Sequence, residues 1–165
     1  MRVMYSKTLL GAVAVSGALL AGCGFNFAGT YQGSVTEAID VCTAQFDLAP
    51  TLAFTGFGSG SPVAMNYAVT GTLDITVTGP EPCPIVVNST LAGTATSDSP
   101  DVLTLAATLT SGCAGAGCPE SMTYDGNGSD ADADNNVDTI LGDLIVQPTD
   151  DVALGPFSLT LTRVP

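Results

Sequence analysis

The densest group of metal-ligating side chains in the sequence lies between residues 125 and 138. Acidic residues occupy alternate positions through its centre, so a turning loop can direct successive carboxylates at one hard cation such as Ca²⁺. The candidate ligands are Asp125, Asp130, Asp132, Asp134, Asn136 and Asp138. The segment therefore predicts a calcium site. The alternative is a solvated hairpin loop, since Asp-Gly and Asn-Gly pairs form turns and like charges repel one another.

The acidic spacing resembles the Asp-x-Asp-x-Asp opening of an EF-hand-type calcium loop. With Asp130 at position 1, Asp132 and Asp134 stand at positions 3 and 5. Asn135 replaces the usual glycine at position 6, where asparagine tolerates the left-handed backbone. Positions 7, 8 and 9 are then Asn136, Val137 and Asp138.

The resemblance ends at position 12, where Leu141 stands in place of the expected bidentate glutamate. It therefore implies that Asp125 or Asp143 completes the ligand shell, as acids outside the register do in calcium loops of the thrombospondin and dockerin kinds. The implied affinity falls in the extracellular range of about 10⁻⁴ to 10⁻³ M.

The chain begins with a short, charged and then apolar leader. Arg2 and Lys7 precede an apolar run over residues 9–20 that is too short to remain as a spanning helix. Residues 1–22 are therefore predicted to be a signal peptide that the mature protein lacks. No later stretch of the sequence has the apolar length that a transmembrane helix needs.

The leader closes on Leu20-Ala21-Gly22-Cys23, which resembles the lipobox of bacterial lipoproteins. The resemblance implies cleavage before Cys23, acylation of its thiol and of the new amine, and anchoring of the domain without a protein segment in the bilayer. Gly24 follows where an inner-membrane retention signal has Asp, which implies the outer membrane. The alternative is an ordinary secretory leader with a chance cysteine.

Four further cysteines indicate two disulfides in an exported domain. Three pairings are possible, and the preferred one joins Cys113 to Cys118 across a flexible tetrapeptide and leaves Cys42 with Cys83. A four-cysteine zinc site is the alternative, but such sites normally have two closely spaced pairs.

The composition excludes several classes of function. After cleavage one basic residue, Arg163, remains against sixteen acidic ones, a net charge of −15. Such a chain does not neutralise nucleic-acid phosphates or dock on anionic head groups, whereas cationic partners remain open. Without His or Lys in the mature chain, catalytic triads and Schiff-base chemistry are excluded. The prediction is a non-enzyme, with a carboxylate-only hydrolase as the remaining catalytic alternative.

Alternating apolar and polar residues predict an all-β domain of about seven antiparallel strands. The clearest runs are 67–77, 102–110 and 157–162, and weaker ones are 29–36, 85–96, 121–124 and 139–146. Segments rich in Gly and Pro separate most of them, clearest at 79–82, 97–100 and 155–156. Ile39, Cys42 and Phe46 at helical spacing predict one helix within 36–48.

The first and last strand candidates resemble those of lipocalin-like meander barrels. Gly29-Thr30-Tyr31-Gln32-Gly33 opens the domain, and Gly155-Pro156-Phe157-Ser158-Leu159-Thr160-Leu161 closes it. The resemblance implies that these two strands pair and close the sheet. An immunoglobulin-like sandwich is the alternative, although the sequence lacks the Cys, Trp, Cys spacing that is usual in that fold. The predicted organisation is a signal peptide over 1–22, a lipidated tether over 23–28 and one β-domain over 29–165.

These features predict a lipid-anchored envelope or surface lipoprotein, facing the periplasm or the medium. Its β-domain would interact with an envelope protein or give structural support, stiffened by calcium. The alternative from the lipocalin resemblance is a carrier of a small apolar ligand. Small inward residues such as Gly71, Gly93, Ala95 and Ala107 favour space inside such a barrel, although a closed, twisted sheet also needs them.

Overall fold

The computed structural model describes residues 25–59, 64–99 and 101–165, so the signal peptide and Cys23 lie outside the described residues. The domain is all-β, and eight antiparallel strands follow one another in a meander that closes into a barrel. The strands are β1 Gly29–Ile39, β2 Cys42–Phe57, β3 Met65–Thr78, β4 Ile85–Ser99, β5 Val102–Ser111, β6 Pro119–Ser129, β7 Thr139–Pro148 and β8 Leu154–Arg163. Within these three ranges, no helix has the length and hydropathy to cross a membrane.

The strands form because apolar side chains recur at every second position and bury one face of the sheet. In β5, Leu103, Leu105, Ala107 and Leu109 are buried and alternate with exposed threonine or alanine. Threonine suits the outer face because its branched Cβ favours extended backbone. The three strongest strand predictions are confirmed as parts of β3, β5 and β8.

The barrel closes between its first and last strands, as the lipocalin resemblance implied. Tyr31 pairs with Arg163 and Gln32 with Thr162, antiparallel. The eight-stranded closed meander is consistent with a small lipocalin-like barrel, and the sandwich alternative is wrong.

The helix predicted within residues 36–48 is wrong. Strand β1 continues to Ile39, β2 begins at Cys42, and these two residues pair across a two-residue turn. Asp40 turns the chain with a φ of 56°. The helical spacing is a coincidence. Ile39 ends one strand, Cys42 and Phe46 belong to the next, and the two turn residues between the strands produce the interval.

Two of the three predicted breaks differ in the structure. The segment 79–82 does connect β3 to β4. Gly155 and Pro156, however, lie inside β8, where they cause a register irregularity opposite Leu144 and Val146. Proline removes one ladder hydrogen bond, so it produces a bulge there and the chain turns over residues 149–153 instead. Strand β4 likewise continues to Ser99, so the connection to β5 is shorter than predicted.

Apolar side chains and three tyrosines fill the interior. Tyr31, Tyr67 and Tyr124 are at most 1% exposed. The Tyr124 hydroxyl lies 2.8 Å from the carbonyl oxygen of Ile140 in β7 and 2.9 Å from that of Leu159 in β8, so its proton is shared between two strands. A polar group buried this deeply needs such partners.

Glycines in the wall mark close approaches between strands. A Cβ at Gly93 would collide with the backbone of Ala106 and Ala107 in β5, and one at Gly71 with Ala49 and Pro50 in β2. Gly71 also has a φ of +140°, which other residues rarely adopt. These glycines therefore serve sheet curvature and do not open space inside the barrel.

Both disulfides form as preferred from the sequence, Cys42 with Cys83 and Cys113 with Cys118. Cysteines bonded in this way supply no zinc thiolates, so the zinc alternative is wrong. The meander places both disulfides at the end where β1 leads to β2, which we call the disulfide end. The opposite end carries the start of β1, the connections after β2, β4 and β6, and the C-terminus, and we call it the N-terminal end.

Candidate metal site

The acidic loop, residues 130–138, connects β6 to β7 at the N-terminal end of the barrel. Ser129 and Thr139 pair in the ladder at its base, and their side-chain oxygens lie 2.6 Å apart. The Asp138 amide donates to the Ser129 carbonyl oxygen at 2.9 Å. The two strands therefore fix both ends of a loop whose tip is exposed.

Three of the predicted ligands converge. One carboxylate oxygen from each of Asp130, Asp132 and Asp138 lies within 4.8 Å of the others. Calcium binds oxygens at about 2.3–2.6 Å, so two ligands on opposite sides of one ion are about 5 Å apart. The three carboxylates are thus spaced closely enough to share a single calcium ion.

Main-chain hydrogen bonds to Asp130 shape the loop. Its two oxygens accept from the Ala133 amide at 2.8 Å and from the Asn135 amide at 2.7 Å. The bonds bend the chain around this carboxylate, and Ala133 and Asn135 take φ values of 62° and 67°. The left-handed backbone predicted at Asn135 is therefore present, and Ala133 adds a second one that the sequence did not indicate.

Asp134 and Asn136 bond to each other beside the converging group. The Asp134 carboxylate accepts from the Asn136 amide at 2.7 Å and from its side-chain nitrogen at 2.9 Å. The Asn136 side-chain oxygen accepts from the Asn26 side chain at 2.9 Å. These two predicted ligands thus join the loop to the segment before β1.

Asp125 lies away from the loop tip, in the middle of β6. It is exposed and pairs in register with Asp143 of β7. The structure therefore places the two acids proposed to complete the shell beside each other on the barrel wall, and groups neither with the three converging carboxylates.

The pKa values of two loop carboxylates, Asp132 and Asp134, shift in opposite directions. The Asp134 amide hydrogen bond lowers the pKa of Asp132, but desolvation and the charges of Asp134 and Asp138 outweigh it and raise that pKa overall. Hydrogen bonds from Asn136 lower the pKa of Asp134, aided by the charge of Arg163. Crowded negative charge at Asp132 is the condition that a bound cation relieves.

The segment before β1 holds the acidic loop through main-chain hydrogen bonds that the sequence did not indicate. The Asn26 amide donates to the Asn135 carbonyl oxygen at 2.8 Å, and the Val137 amide donates to the Asn26 carbonyl oxygen at 3.0 Å. Val137 is fully buried, and its carbonyl oxygen accepts from the Tyr31 hydroxyl at 3.1 Å. Such a bridge between residues over a hundred positions apart leaves no local sequence signal.

The arrangement offers a half-shell of carboxylates on a loop anchored in the core, and water would supply the remaining oxygens of a six- to eight-coordinate calcium ion.

Comparison with protein-family models, curated proteins and solved structures gives no match for this chain.

Proposed function

We propose that this protein is a lipid-anchored lipoprotein of the bacterial envelope, held through Cys23 at the outer membrane, with a non-catalytic barrel that serves interaction or structural support. The observation that carries the proposal is a closed barrel with a side-chain-filled interior that begins directly after the lipobox-like sequence. Phe27, only four residues after Cys23, is already fully buried.

The filled interior supports this role over that of a carrier. The largest fully buried side chains come from most of the strands and include Tyr31, Tyr67, Tyr124, Phe46 and Leu105. A carrier of an apolar ligand needs a dry space of several hundred cubic ångströms. The inward glycines that favoured such space instead face the backbone of neighbouring strands.

The composition supports a non-catalytic role. The sequence contains no His, and its one Lys, Lys7, lies in the predicted leader. The buried titratable groups of the described residues are the tyrosines, whose hydroxyls bond to main-chain or thioether groups inside the wall. Groups with partners of this kind hold the barrel together and have no route to a substrate.

Membrane flotation tests the anchoring. The full chain and a variant in which an ordinary cleavable secretory leader replaces residues 1–23 are expressed in a bacterial host, and the membranes are floated on a density gradient. We expect the native chain to float and to stay with membranes in high salt, and the variant to remain in the soluble fraction. Equal flotation of both chains would refute the lipid anchor.

We further propose that calcium binds the acidic loop through Asp130, Asp132 and Asp138. Calorimetry on the purified protein compares the native chain with the triple Asp→Asn variant at these positions. A matched control, Glu81→Gln, Asp98→Asn and Glu120→Gln, removes the same charge from exposed sites elsewhere. We expect stoichiometric heat in the native chain and in the control, and none in the loop variant. No heat from the native chain at millimolar calcium would reduce the loop to a solvated turn.

A second readout follows from mass action. With a dissociation constant of about 10⁻³ M, about 10 mM calcium stabilises the folded state by about 1.4 kcal/mol. For a domain of this size that raises Tm by about 5 °C. The loop variant should show no such rise.

A further inference from the structure

An exposed aromatic pair lies at the N-terminal end of the barrel. Phe54 is 46% and Phe57 is 68% exposed, although both belong to β2. Their ring centroids are 5.2 Å apart at an interplanar angle of 68°, an edge-to-face contact. Large apolar side chains grouped at the surface mark a contact with another apolar phase.

A bulge brings the two rings onto one face. Residues three apart on a regular strand point to opposite faces. The register between β2 and β3 shifts between Phe54 and Gly56, so Phe54 pairs with Tyr67 and Phe57 with Met65. Tyr67 and Met65 both belong to the inward-facing set of β3. Both phenylalanines therefore continue the inner face of the sheet beyond the core, at the N-terminal end of the barrel.

The pair adjoins the start of the described chain. The Phe54 ring lies 6.1 Å from that of Tyr67, which lies 6.4 Å from that of Phe27. The Tyr67 hydroxyl accepts from the Phe27 amide at 3.2 Å. Phe25, two residues earlier, packs partly buried against the core. The exposed aromatic pair and the segment before β1 thus belong to one continuous aromatic cluster.

The chain between this surface and Cys23 is very short. Only Gly24 separates Cys23 from Phe25, and two residue steps span at most about 7 Å. Acyl chains on Cys23 therefore leave the barrel no room to stand away from the bilayer. We propose that the N-terminal end rests on the lipid surface, with Phe54 and Phe57 inserted among the head groups of zwitterionic phospholipid; this rests on the lipidation proposed above.

The negative charge at the N-terminal end determines which lipid head groups the aromatic pair can contact. The acidic loop lies at the same end and carries Asp130, Asp132, Asp134 and Asp138, whereas Arg163 is the one basic residue of the described ranges. Anionic head groups are repelled over about 10 Å at moderate salt, whereas neutral ones are not. Insertion of the aromatic pair should therefore be deeper in zwitterionic than in anionic bilayers.

The disulfide end supplies the control. It also exposes apolar side chains, of which Val86 is 66% exposed at the start of β4. A strand separates this end from the start of β1, and ten strand residues span about 33 Å. An apolar contact at this end has no tether to bring it to the bilayer.

The sequence contains no Trp, so one introduced Trp is a specific fluorescent reporter. The full-length chain carrying F57W or V86W is processed in the bacterial host, purified and reconstituted into phosphatidylcholine vesicles with or without brominated acyl chains. Both positions are exposed, so neither replacement disturbs the core. We expect bromine to quench the F57W emission about twofold, as at an interfacial aromatic position, and to leave the V86W emission unchanged.

The outcomes separate the proposals. Quenching of F57W alone supports the membrane-facing end. Flotation without quenching of F57W, or equal quenching of F57W and V86W, overturns it and leaves the lipid anchor standing. A chain that fails to float overturns both. A blue shift of F57W without quenching assigns the exposed aromatic pair to contact with a second copy or an apolar ligand and likewise overturns the membrane-facing end.

Discussion

The two disulfides differ in the length of chain that they close, and this predicts unequal contributions to stability. Cys42 and Cys83 are 41 positions apart, and Cys113 and Cys118 are 5 apart. Loop-closure entropy of the unfolded chain gives about 4 kcal/mol for the longer loop and about 2 kcal/mol for the shorter one. With an unfolding entropy of about 0.3 kcal/mol per kelvin for a domain of roughly 140 residues, removal lowers Tm by about 13 °C and about 7 °C.

Replacing both partners of one disulfide by alanine avoids a free thiol. The assay is urea and thermal unfolding of each double variant, followed by far-UV circular dichroism. The free energy of unfolding should fall about twice as far in the Cys42→Ala, Cys83→Ala chain as in the Cys113→Ala, Cys118→Ala chain. Equal losses, or a larger loss from the short loop, would refute an entropic origin and point to native-state packing around Cys118, which is buried.

Three further predictions concern the barrel wall. Tyr124→Phe removes a hydroxyl that bonds to carbonyl oxygens of β7 and β8, and should lower the free energy of unfolding by about 1–2 kcal/mol in urea titration. Burial raises the pKa of Tyr31 to about 12, so the folded chain keeps a proton that the unfolded chain releases near pH 10. The stability that Tyr31 contributes is full below pH 10 and falls by up to about 1.4 kcal/mol per pH unit between pH 10 and 12, in addition to the losses from Tyr67 and Tyr124, whose pKa burial also raises. Tyr31→Phe should reduce the total slope by that amount, and an unchanged slope would contradict the prediction. Gly93→Ala places a Cβ against the backbone of β5 and should cost about 1–3 kcal/mol, whereas Gly112→Ala, with open space around it, should cost little.

Periodicity was sufficient to predict the strands that alternate cleanly. In β3, β5 and β8 each buried residue alternates with threonine or another small or polar residue, so a single strand carries the whole signal. Strand β2 alternates as well, with Phe46, Leu48 and Leu52 buried on one face, but Pro50 in the middle of the run argues against a strand. Pro50 is tolerated opposite Gly71, a pairing that only the folded sheet reveals. The turn at Asp40 and Val41 was also missed, since it lacks the Asp-Gly or Asn-Gly pair typical of two-residue hairpins.

The candidate site was predictable in its residue types but not in its grouping. The sequence named Asp130, Asp132 and Asp138, which converge. It gave Asp134 the same rank, although that carboxylate bonds to Asn136 and is not one of the three that converge. The hydrogen bonds from Asn26 form only when the segment before β1 folds against the acidic loop, and no local sequence pattern encodes that contact.

The lipid anchor is the central claim, and the intact mass of the mature protein tests it most directly. The full chain is expressed in a bacterial host, extracted from membranes in detergent and measured by mass spectrometry, with the N-terminal peptide sequenced. The account predicts a chain that begins at Cys23 and carries a diacylglyceryl group on its sulfur. A mature chain that begins at another residue, or that begins at Cys23 with an unmodified thiol, would contradict it.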